Sequence, residues 1–219
     1  MMKPVTGHKG IHDFECRVRG TTAHSSLAPY AVNAVESAAE LIAHIKSIAR
    51  RLASEGPFSR QFDPPFTTVH VGVIKGGSAV NIVPDVCDFS FEIRNIPEGE
   101  AEALIGEIRH YAFTVLEPRM KDIDPRAGFE FHRRAFVPAF DIANDDKAVE
   151  LALALSGANA AEKVSFATEA GIFQHSGIPT VVCGPGSIEQ AHKPNEFVTA
   201  EQLVKCENFI DRFLETISF

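Results

Sequence analysis

The 219-residue sequence has few cysteines, no excess of positive charge and no long apolar run. Its four cysteines are widely scattered without a CxxC pair, which argues against a disulfide framework and favours a reduced, cytoplasmic compartment. The longest aliphatic run, Leu151 to Leu155, is too short to span a bilayer, and the N-terminus lacks the apolar core of a secretory signal. We therefore expect neither a membrane partner nor export. The net charge of −8 argues against a nucleic-acid partner.

Several catalytic signatures are also missing. The sequence contains no GxSxG elbow, no P-loop, no dinucleotide fingerprint and no HExxH motif. The overall composition is nevertheless that of a globular protein, because 45% of the residues are apolar and 23% are charged. This length predicts one large domain or two small ones.

The first 136 residues have alternating strand and helix patterns. Residues 11–19 alternate with a period of two and predict a strand, whereas residues 31–54 have the apolar spacing of a long amphipathic helix. The other predicted elements are strands over 66–74 and 80–94 (interrupted at Pro84-Asp85), a helix opened by Pro97, a loop over 118–125, and a strand marked by Phe129, Phe131 and Phe136. This β-α-β-β-α-β order predicts an α+β ferredoxin-like domain over residues 9–136.

Residues 137–219 have a different pattern. Their predicted elements are a helix capped by Asp145 and closed by Gly157, a short strand over 163–166, a helical turn over 171–176, a buried strand over 179–183, and a helix opened by a capping box of Thr199 and Gln202. The last helix is expected to bury Leu203, Cys206, Ile210, Phe213 and Ile217. Because so few elements cannot cover both faces of an α/β sheet, this part is expected to be a portion of an α/β domain.

Three residues of the first part are candidates for binding or catalysis. His24 lies in a loop of small residues, where it can donate a hydrogen bond to an oxyanion, although a turn histidine bonded near Ser25 explains it equally well. Asn81 and Arg94 carry donors suited to a substrate carboxylate. Turn geometry and a surface ion pair explain them as readily.

Four further candidates lie in the second part. Thr168, Glu169 and Gly184 can present a hydroxyl, a carboxylate and a backbone N–H to a ligand, although glycine loops are often only turns. His192 follows the glycine loop after the predicted buried strand, which is where ligands gather in α/β sheets, and neutral imidazole is a common metal ligand. A lone loop histidine is, however, more often a solvated surface residue.

Six segments taken together resemble one family. They are Gly7–Gly10 (GHKG), Gly20–Ser26 (GTTAHSS), Gly76–Asp85 (GGSAVNIVPD), Phe89–Arg94 (FSFEIR), Ala167–Gly171 (ATEAG) and Cys183–Glu196 (CGPGSIEQAHKPNE). The sequence is similar over essentially its whole length to the dinuclear-metal amidohydrolases, which include acetylornithine deacetylase, succinyl-diaminopimelate desuccinylase, aminoacylase and carboxypeptidase G-type enzymes. The TEAG and GPGSI…AH segments are most similar to the acetylornithine deacetylase branch.

The resemblance implies an enzyme that hydrolyses N-acyl amino acids, above all N-acetylornithine in arginine biosynthesis. Two divalent metal ions, zinc or cobalt, would activate one water molecule. Residues 9–136 would be a lid domain that joins a homodimer, residues 1–8 the end of a connection from the catalytic domain, and residues 137–219 its C-terminal part. The implied roles are metal ligand for His192, oxyanion stabiliser in the partner subunit's site for His24, and substrate contacts for Asn81, Arg94, Thr168 and Gly184. Beyond the resemblance, we hypothesise that Glu169 pairs with the side-chain ammonium of ornithine.

The sequence also departs from the family. The His-x-Asp metal pair, the bridging aspartate and the catalytic glutamate of the family lie upstream of the matching region and are not present here. One histidine cannot hold two metal ions, so we expect this chain alone to be an inactive portion of a longer enzyme that binds no metal stably. A stand-alone ferredoxin-like module for dimerisation or amino-acid binding, without catalysis, is the alternative.

Overall fold

The computed structural model describes residues 2–217, which mix α-helices and β-strands. The strands are β1 (Val5–His8), β2 (Ile11–Arg19), β3 (Ala23–His24), β4 (Thr68–Gly76), β5 (Ile82–Val83), β6 (Val86–Arg94), β7 (Gly128–Val137), β8 (Phe140–Asp141) and β9 (Glu162–Val164). The helices are α1 (Ala34–Glu55), α2 (Ala101–Tyr111), α3 (Glu117–Lys121), α4 (Lys147–Ser156), α5 (Ala170–His175) and α6 (Ala200–Ile217). The described residues form two compact units: residues 10–137 are one, and residues 2–9 together with residues 138–217 are the other. We call them the middle unit and the flanking unit.

The middle unit is built on a four-stranded sheet. Its strands lie in the order β4-β6-β2-β7, and all three neighbouring pairs are antiparallel. Central strand β2 pairs with β6 from His12 opposite Ile93 to Arg19 opposite Val86. The bounds predicted for β2, residues 11–19, are confirmed. The apolar residues that alternate along this strand are buried in the structure, as the period of two predicts.

One face of this sheet packs against helices. Phe14, Cys16 and Val18 of β2 are buried there, together with Leu41 and Ile45 of α1. Helix α1 begins when the Asn33 side chain accepts hydrogen bonds from the backbone N–H groups of Val35 and Glu36. The opposite sheet face carries ion pairs, such as Arg17 with Asp88. Alternation along the strands therefore separates a core from a charged surface.

Several predicted boundaries in the middle unit are wrong. Helix α1 begins at Ala34 rather than 31, because Asn33 provides the cap. Helix α2 begins at Ala101 rather than after Pro97, because a turn closed by the Gly99 N–H and the Ile96 carbonyl comes first.

The predicted loop over 118–125 is also wrong at its start. Helix α3 continues to Lys121, since Pro118 lies in its first turn, where proline is tolerated. A π-helical turn, Ala112–Leu116, joins α2 to α3. This wider turn shifts the buried stripe, so that Leu116 is buried whereas Val115 is 39% exposed.

The interruption predicted at Pro84-Asp85 is confirmed. The strand pattern on its two sides forms two strands, β5 and β6, which join different sheets. Strand β5 pairs with β3 in a two-stranded sheet of its own, with Ala23 opposite Val83 and His24 opposite Ile82.

The flanking unit has a smaller three-stranded sheet in the order β8-β1-β9. Helix α4 is capped by Asp146, whose carboxylate accepts from the Ala148 N–H, and not by Asp145 as expected. Gly157 ends the helix in the left-handed conformation, as predicted. The strand expected over 179–183 is wrong: only Val182 forms a bridge, to Val5, and the neighbouring side chains are half-buried.

Helix α6 differs most from expectation. The Thr199 hydroxyl accepts from the Gln202 N–H as predicted, but the Gln202 side chain accepts from the Gly186 N–H instead of closing a capping box. The face expected to be buried is exposed: the exposed fractions are 46% for Leu203, 39% for Phe213 and 50% for both Ile210 and Ile217, and Cys206 is half-buried. Within the flanking unit α6 packs against α4, which covers little of that face. No helix in residues 2–217 combines the length and apolarity that a membrane crossing needs.

Candidate functional site

The segment that carries His24 is held by a close backbone approach at Gly20. A Cβ at Gly20 would lie 2.1 Å from the carbonyl oxygen of Val32, so this position requires glycine. The Gly20 N–H donates to the Asp85 carbonyl, and the Thr21 N–H donates to the Val32 carbonyl. These contacts fix the chain between the end of β2 and the start of α1.

The imidazole of His24 is oriented by its own turn. Its Nδ1 accepts a hydrogen bond from the Ser26 N–H at 3.2 Å and lies 2.8 Å from the Ser26 hydroxyl. Because a backbone N–H only donates, the neutral ring carries its proton on Nε2. The side chain is exposed, so this Nε2–H is available to donate to a ligand. The turn interaction and the oxyanion hypothesis are therefore compatible.

Asn81 lies beside His24. Strands β3 and β5 place His24 opposite Ile82, and the Ser25 N–H donates to the Asn81 carbonyl at 3.0 Å. The Asn81 side chain is exposed. Two of the predicted site residues thus share one corner of the middle unit, which we call the His24 corner.

Arg94 lies at the opposite end of the sheet. It ends β6, whereas the His24 corner is tied to Asp85 just before β6 begins. From its first residue to its last, the nine-residue strand β6 spans about 27 Å at about 3.4 Å per step. The guanidinium of Arg94 binds Glu92 through Nε at 2.6 Å and through a terminal nitrogen at 3.2 Å. One middle unit therefore does not bring Arg94 to the His24 corner.

In the flanking unit, Thr168 and Glu169 lie together at the start of α5. The Thr168 hydroxyl accepts from the Ala170 N–H at 3.2 Å, and the Glu169 side chain is exposed. A Cβ at Gly184 would meet no atom within 4 Å, so packing does not explain this glycine. No hydrogen bond described for residues 2–217 joins Thr168 or Glu169 to Gly184.

His192 is exposed and has a left-handed backbone, with φ of 61°. Its N–H donates to the Glu196 carboxylate at 3.3 Å. Across the described chain, no three His, Cys, Asp or Glu side chains come together in a way that could hold a metal ion. The residues present therefore do not fit a dinuclear metal centre by themselves.

His8 was not among the site residues predicted from the sequence. This fully buried residue of β1 donates from Nδ1 to the Lys9 carbonyl at 3.0 Å, and within the described residues its Nε2 has no hydrogen-bond partner. Burial lowers the pKa of His8, and the Thr168 backbone and the Glu169 charge oppose that effect only in part. His8 thus lies near the Thr168-Glu169 pair. The GHKG motif was the only signal in the sequence, and it did not indicate burial.

Comparisons with known proteins agree with this architecture. A family model described as a peptidase dimerisation domain matches residues 6–119. The chain is 34% identical over 210 residues to an acetylornithine deacetylase from Myxococcus xanthus, covering 95% of this chain and 53% of the relative. It is 30% identical to an acetylornithine deacetylase from Pasteurella multocida, covering 99% of this chain and 53% of the relative. The chain therefore spans about half the length of these curated relatives.

Solved structures show the same fold at lower identity. An aminopeptidase from Bacillus cereus matches with a TM-score of 0.70 and 24% identity, over 95% of this chain and 52% of that one. A tripeptidase from Staphylococcus aureus matches with a TM-score of 0.69 and 23% identity, over 94% and 51% respectively. The resemblance expected from the sequence motifs is confirmed: the chain belongs to the family of the M20 peptidase dimerisation domain and is similar to the acetylornithine deacetylases.

Proposed function

We propose that this chain supplies the lid and part of the catalytic domain of an amidohydrolase that converts N-acetylornithine to ornithine and acetate in the cytoplasm. The relatives named acetylornithine deacetylase, which match along nearly the whole chain, support this substrate. The observation that carries the proposal is the His24 corner, where an exposed Nε2–H donor lies beside Asn81. A positioned N–H donor of this kind stabilises the oxyanion that forms when an amide is attacked.

We assign the middle unit to the ferredoxin-like lid. Counting β2, β4, β6 and β7 as its four main strands, their spatial order is second, third, first, fourth, with α1 after the first and α2 after the third. This order supports the assignment. The flanking unit is then the C-terminal part of the catalytic domain, with residues 1–8 as its connection to the lid.

We assign the lid a second role as the dimer interface. The His24 corner and Arg94 lie at opposite ends of one sheet, so they cannot meet at one substrate within a subunit. In a two-fold dimer, the His24 corner of one subunit can instead serve the active site of its partner. Edge strand β4 supports this pairing, since Val73 and Ile74 are 49% and 51% exposed there.

Light scattering tests the dimer. The 219-residue chain is expected to have the mass of a homodimer, and Ile74→Lys should make it a monomer because a buried lysine opposes pairing at the edge. Ile123→Lys is the control, since Ile123 is similarly exposed but lies away from β4. A wild-type monomer, or a dimer that persists in Ile74→Lys, would contradict this interface.

The family resemblance implies that hydrolysis requires two metal ions. We assign His192 as the metal ligand that this chain contributes. Because the described residues hold no cluster of three possible ligands, the other ligands and the general base must come from elsewhere. The purified chain, supplied with zinc or cobalt, is therefore expected not to deacetylate N-acetylornithine. Absence of hydrolysis by every longer form that carries the missing ligands would instead support the stand-alone module without catalysis.

Variants of a longer polypeptide that carries this sequence and the missing ligands separate the residue roles. His24→Ala should lower kcat by about 10²–10³ with little change in KM, because the donor acts on the oxyanion. His110→Ala, an exposed histidine of α2, is the matched control. Glu169→Gln should raise KM for N-acetylornithine but not for N-acetylmethionine, which lacks the side-chain ammonium. A His24→Ala enzyme with unchanged kcat would remove His24 from the mechanism.

A further inference from the structure

A cavity of about 420 Å³ lies within the middle unit, between the end of α1 and the start of α2. Its volume is within the range of small-molecule sites. Leu52, Pro57 and Leu104 contribute apolar walls, and the loop over 98–100 closes one side. None of the site residues assigned above lines this cavity, so the proposed hydrolysis does not account for it.

Hydrogen bonds with buried residues hold the loop that closes the cavity. Buried Thr67 lines the cavity, and its hydroxyl accepts a hydrogen bond from the Ile96 N–H at 3.2 Å. The Gly99 N–H then donates to the Ile96 carbonyl at 2.8 Å. A Cβ at Gly99 would lie 2.6 Å from the Thr67 hydroxyl, so the loop needs glycine to approach this closely. The wall is therefore preformed rather than a loose surface loop.

The charge around the cavity is negative. Three glutamates and one arginine line it. Arg51 binds both carboxylate oxygens of Glu107, at 2.9 and 2.5 Å, and holds the pKa of Glu107 below its usual value. Over residues 2–217, neither Glu98 nor Glu100 has an ion-pair partner. Two carboxylates beside the apolar walls thus lack an ion-pair partner.

The end of α1 favours a cation independently of these glutamates. Helix α1 has 22 residues and no basic residue in its last turn, and its C-cap residue Gly56 lines the cavity. The C-terminal end of a helix carries partial negative charge. The N-terminal end of α2, which carries partial positive charge, also lies here. Glu100 and Glu102 lie at this end of α2 and offset its positive charge.

We propose that this cavity binds a small organic cation with an aliphatic stem, either a diamine or an amino acid with an ammonium or guanidinium side chain. The stem packs against Leu52, Pro57 and Leu104, and the cationic group lies between Glu98 and Glu100. Because this cavity and the His24 corner share no residue, the cation site does not depend on the proposed hydrolytic function.

Calorimetry and thermal unfolding of the 219-residue chain test this site directly. Arginine, ornithine and cadaverine are expected to bind and to raise the melting temperature, because each binds the folded chain preferentially. Norleucine has a similar stem without the cation, and glutamate has the opposite charge, so neither should bind. Raising the salt concentration should weaken binding of the cations.

Two kinds of variant locate the binding. Glu98→Gln combined with Glu100→Gln should weaken cation binding about tenfold, as expected when two partly exposed charge interactions are lost. Glu36→Gln combined with Glu40→Gln is the matched control, because it neutralises two carboxylates at the smaller cavity of about 170 Å³ beside the start of α1. Ala103→Phe keeps every charge but fills the proposed site, and it should also weaken binding.

Three outcomes overturn the proposal. One is that no cation binds at millimolar concentration. Another is that norleucine binds as well as ornithine. The third is that the Glu98/Glu100 and Ala103 variants both bind cations as the wild-type chain does, which would place any binding elsewhere. None of these outcomes bears on deacetylation by a longer enzyme, so failure here is distinguishable from failure of the proposed function.

Discussion

Helices α1 and α6 have the same kind of amphipathic sequence but very different surroundings. Helix α1 buries six residues, among them Leu41, Ile45 and Leu52, against the four-stranded sheet. Helix α6 buries none over its described length, and Leu203 and Ile210 are about half exposed. An apolar stripe therefore identifies the face that a helix can bury, but it does not say whether the same chain supplies the cover.

The middle unit also has a larger hydrophobic core than the flanking unit. The principal core of the middle unit joins buried residues of β2, β6 and β7 with those of α1, α2 and α3. The core cluster of the flanking unit consists of Phe140, Ile142, Val149 and Ala170. We therefore expect the middle unit to be much the more stable of the two, since stability follows the apolar surface removed from water.

The largest expected effect compares one substitution in both helices. Leu41→Ala should destabilise the middle unit by about 3–5 kcal/mol, because Leu41 is fully buried and its removal leaves a cavity. Leu203→Ala should cost about 0.5 kcal/mol or less, since Leu203 is 46% exposed. Urea unfolding combined with hydrogen exchange, read separately for peptides of each unit, measures both. Equal costs would mean that the α6 face is covered in solution.

The elements of the middle unit were predictable because their signals are local. Alternation over residues 11–19 identifies β2 residue by residue, and the Pro84-Asp85 interruption correctly separates two strands. Proline lacks a backbone N–H and cannot continue a ladder, so the break is a direct consequence of its chemistry.

Details that depend on tertiary contacts were not predictable. The π-helical turn that exposes Val115 has no periodic signature, and the run over 179–183 resembles a strand although only Val182 finds a partner. Among the candidate site residues, the neighbourhood of His24 and Asn81 depends on a pairing of two-residue strands, too short to give an alternating pattern. The burial of His8 depends on the strands beside β1, which no single motif records.

A smaller loss of stability is expected when the N-cap side chain of one helix in each unit is removed. Asn33→Ala should destabilise α1 by about 1 kcal/mol, and Asp146→Ala should destabilise α4 by a similar amount, because each removes the acceptor for the first helical N–H groups. Asp145→Ala is the control, since the neighbouring carboxylate makes no cap. Unit-resolved hydrogen exchange should place the two losses in different peptides. A larger loss in Asp145→Ala than in Asp146→Ala would restore the cap expected from the sequence.

The smallest expected effect is a pH dependence of the middle unit through His12. This histidine of β2 is 4% exposed, its ring lies 5.0 Å from that of Phe136, and its Nδ1 lies 3.8 Å from the Glu102 carboxylate. Burial, followed by the charge of Arg133, lowers the pKa of His12 below 6.5, and Glu102 and Asn95 offset this only in part.

Because the folded pKa of His12 is below the unfolded one, the unfolded chain binds more protons as the pH falls. The contribution of His12 to stability is therefore fully present above about pH 6.5 and decreases as the pH falls through the unfolded pKa towards the folded one. His12→Gln should flatten the pH dependence of unfolding for the middle unit alone, whereas His110→Gln, which replaces an exposed histidine, should leave it unchanged. His8→Gln should have the corresponding effect in the flanking unit, since burial lowers the pKa of His8 as well. If each unit kept its wild-type pH profile in these variants, burial would not lower the pKa of either histidine in solution.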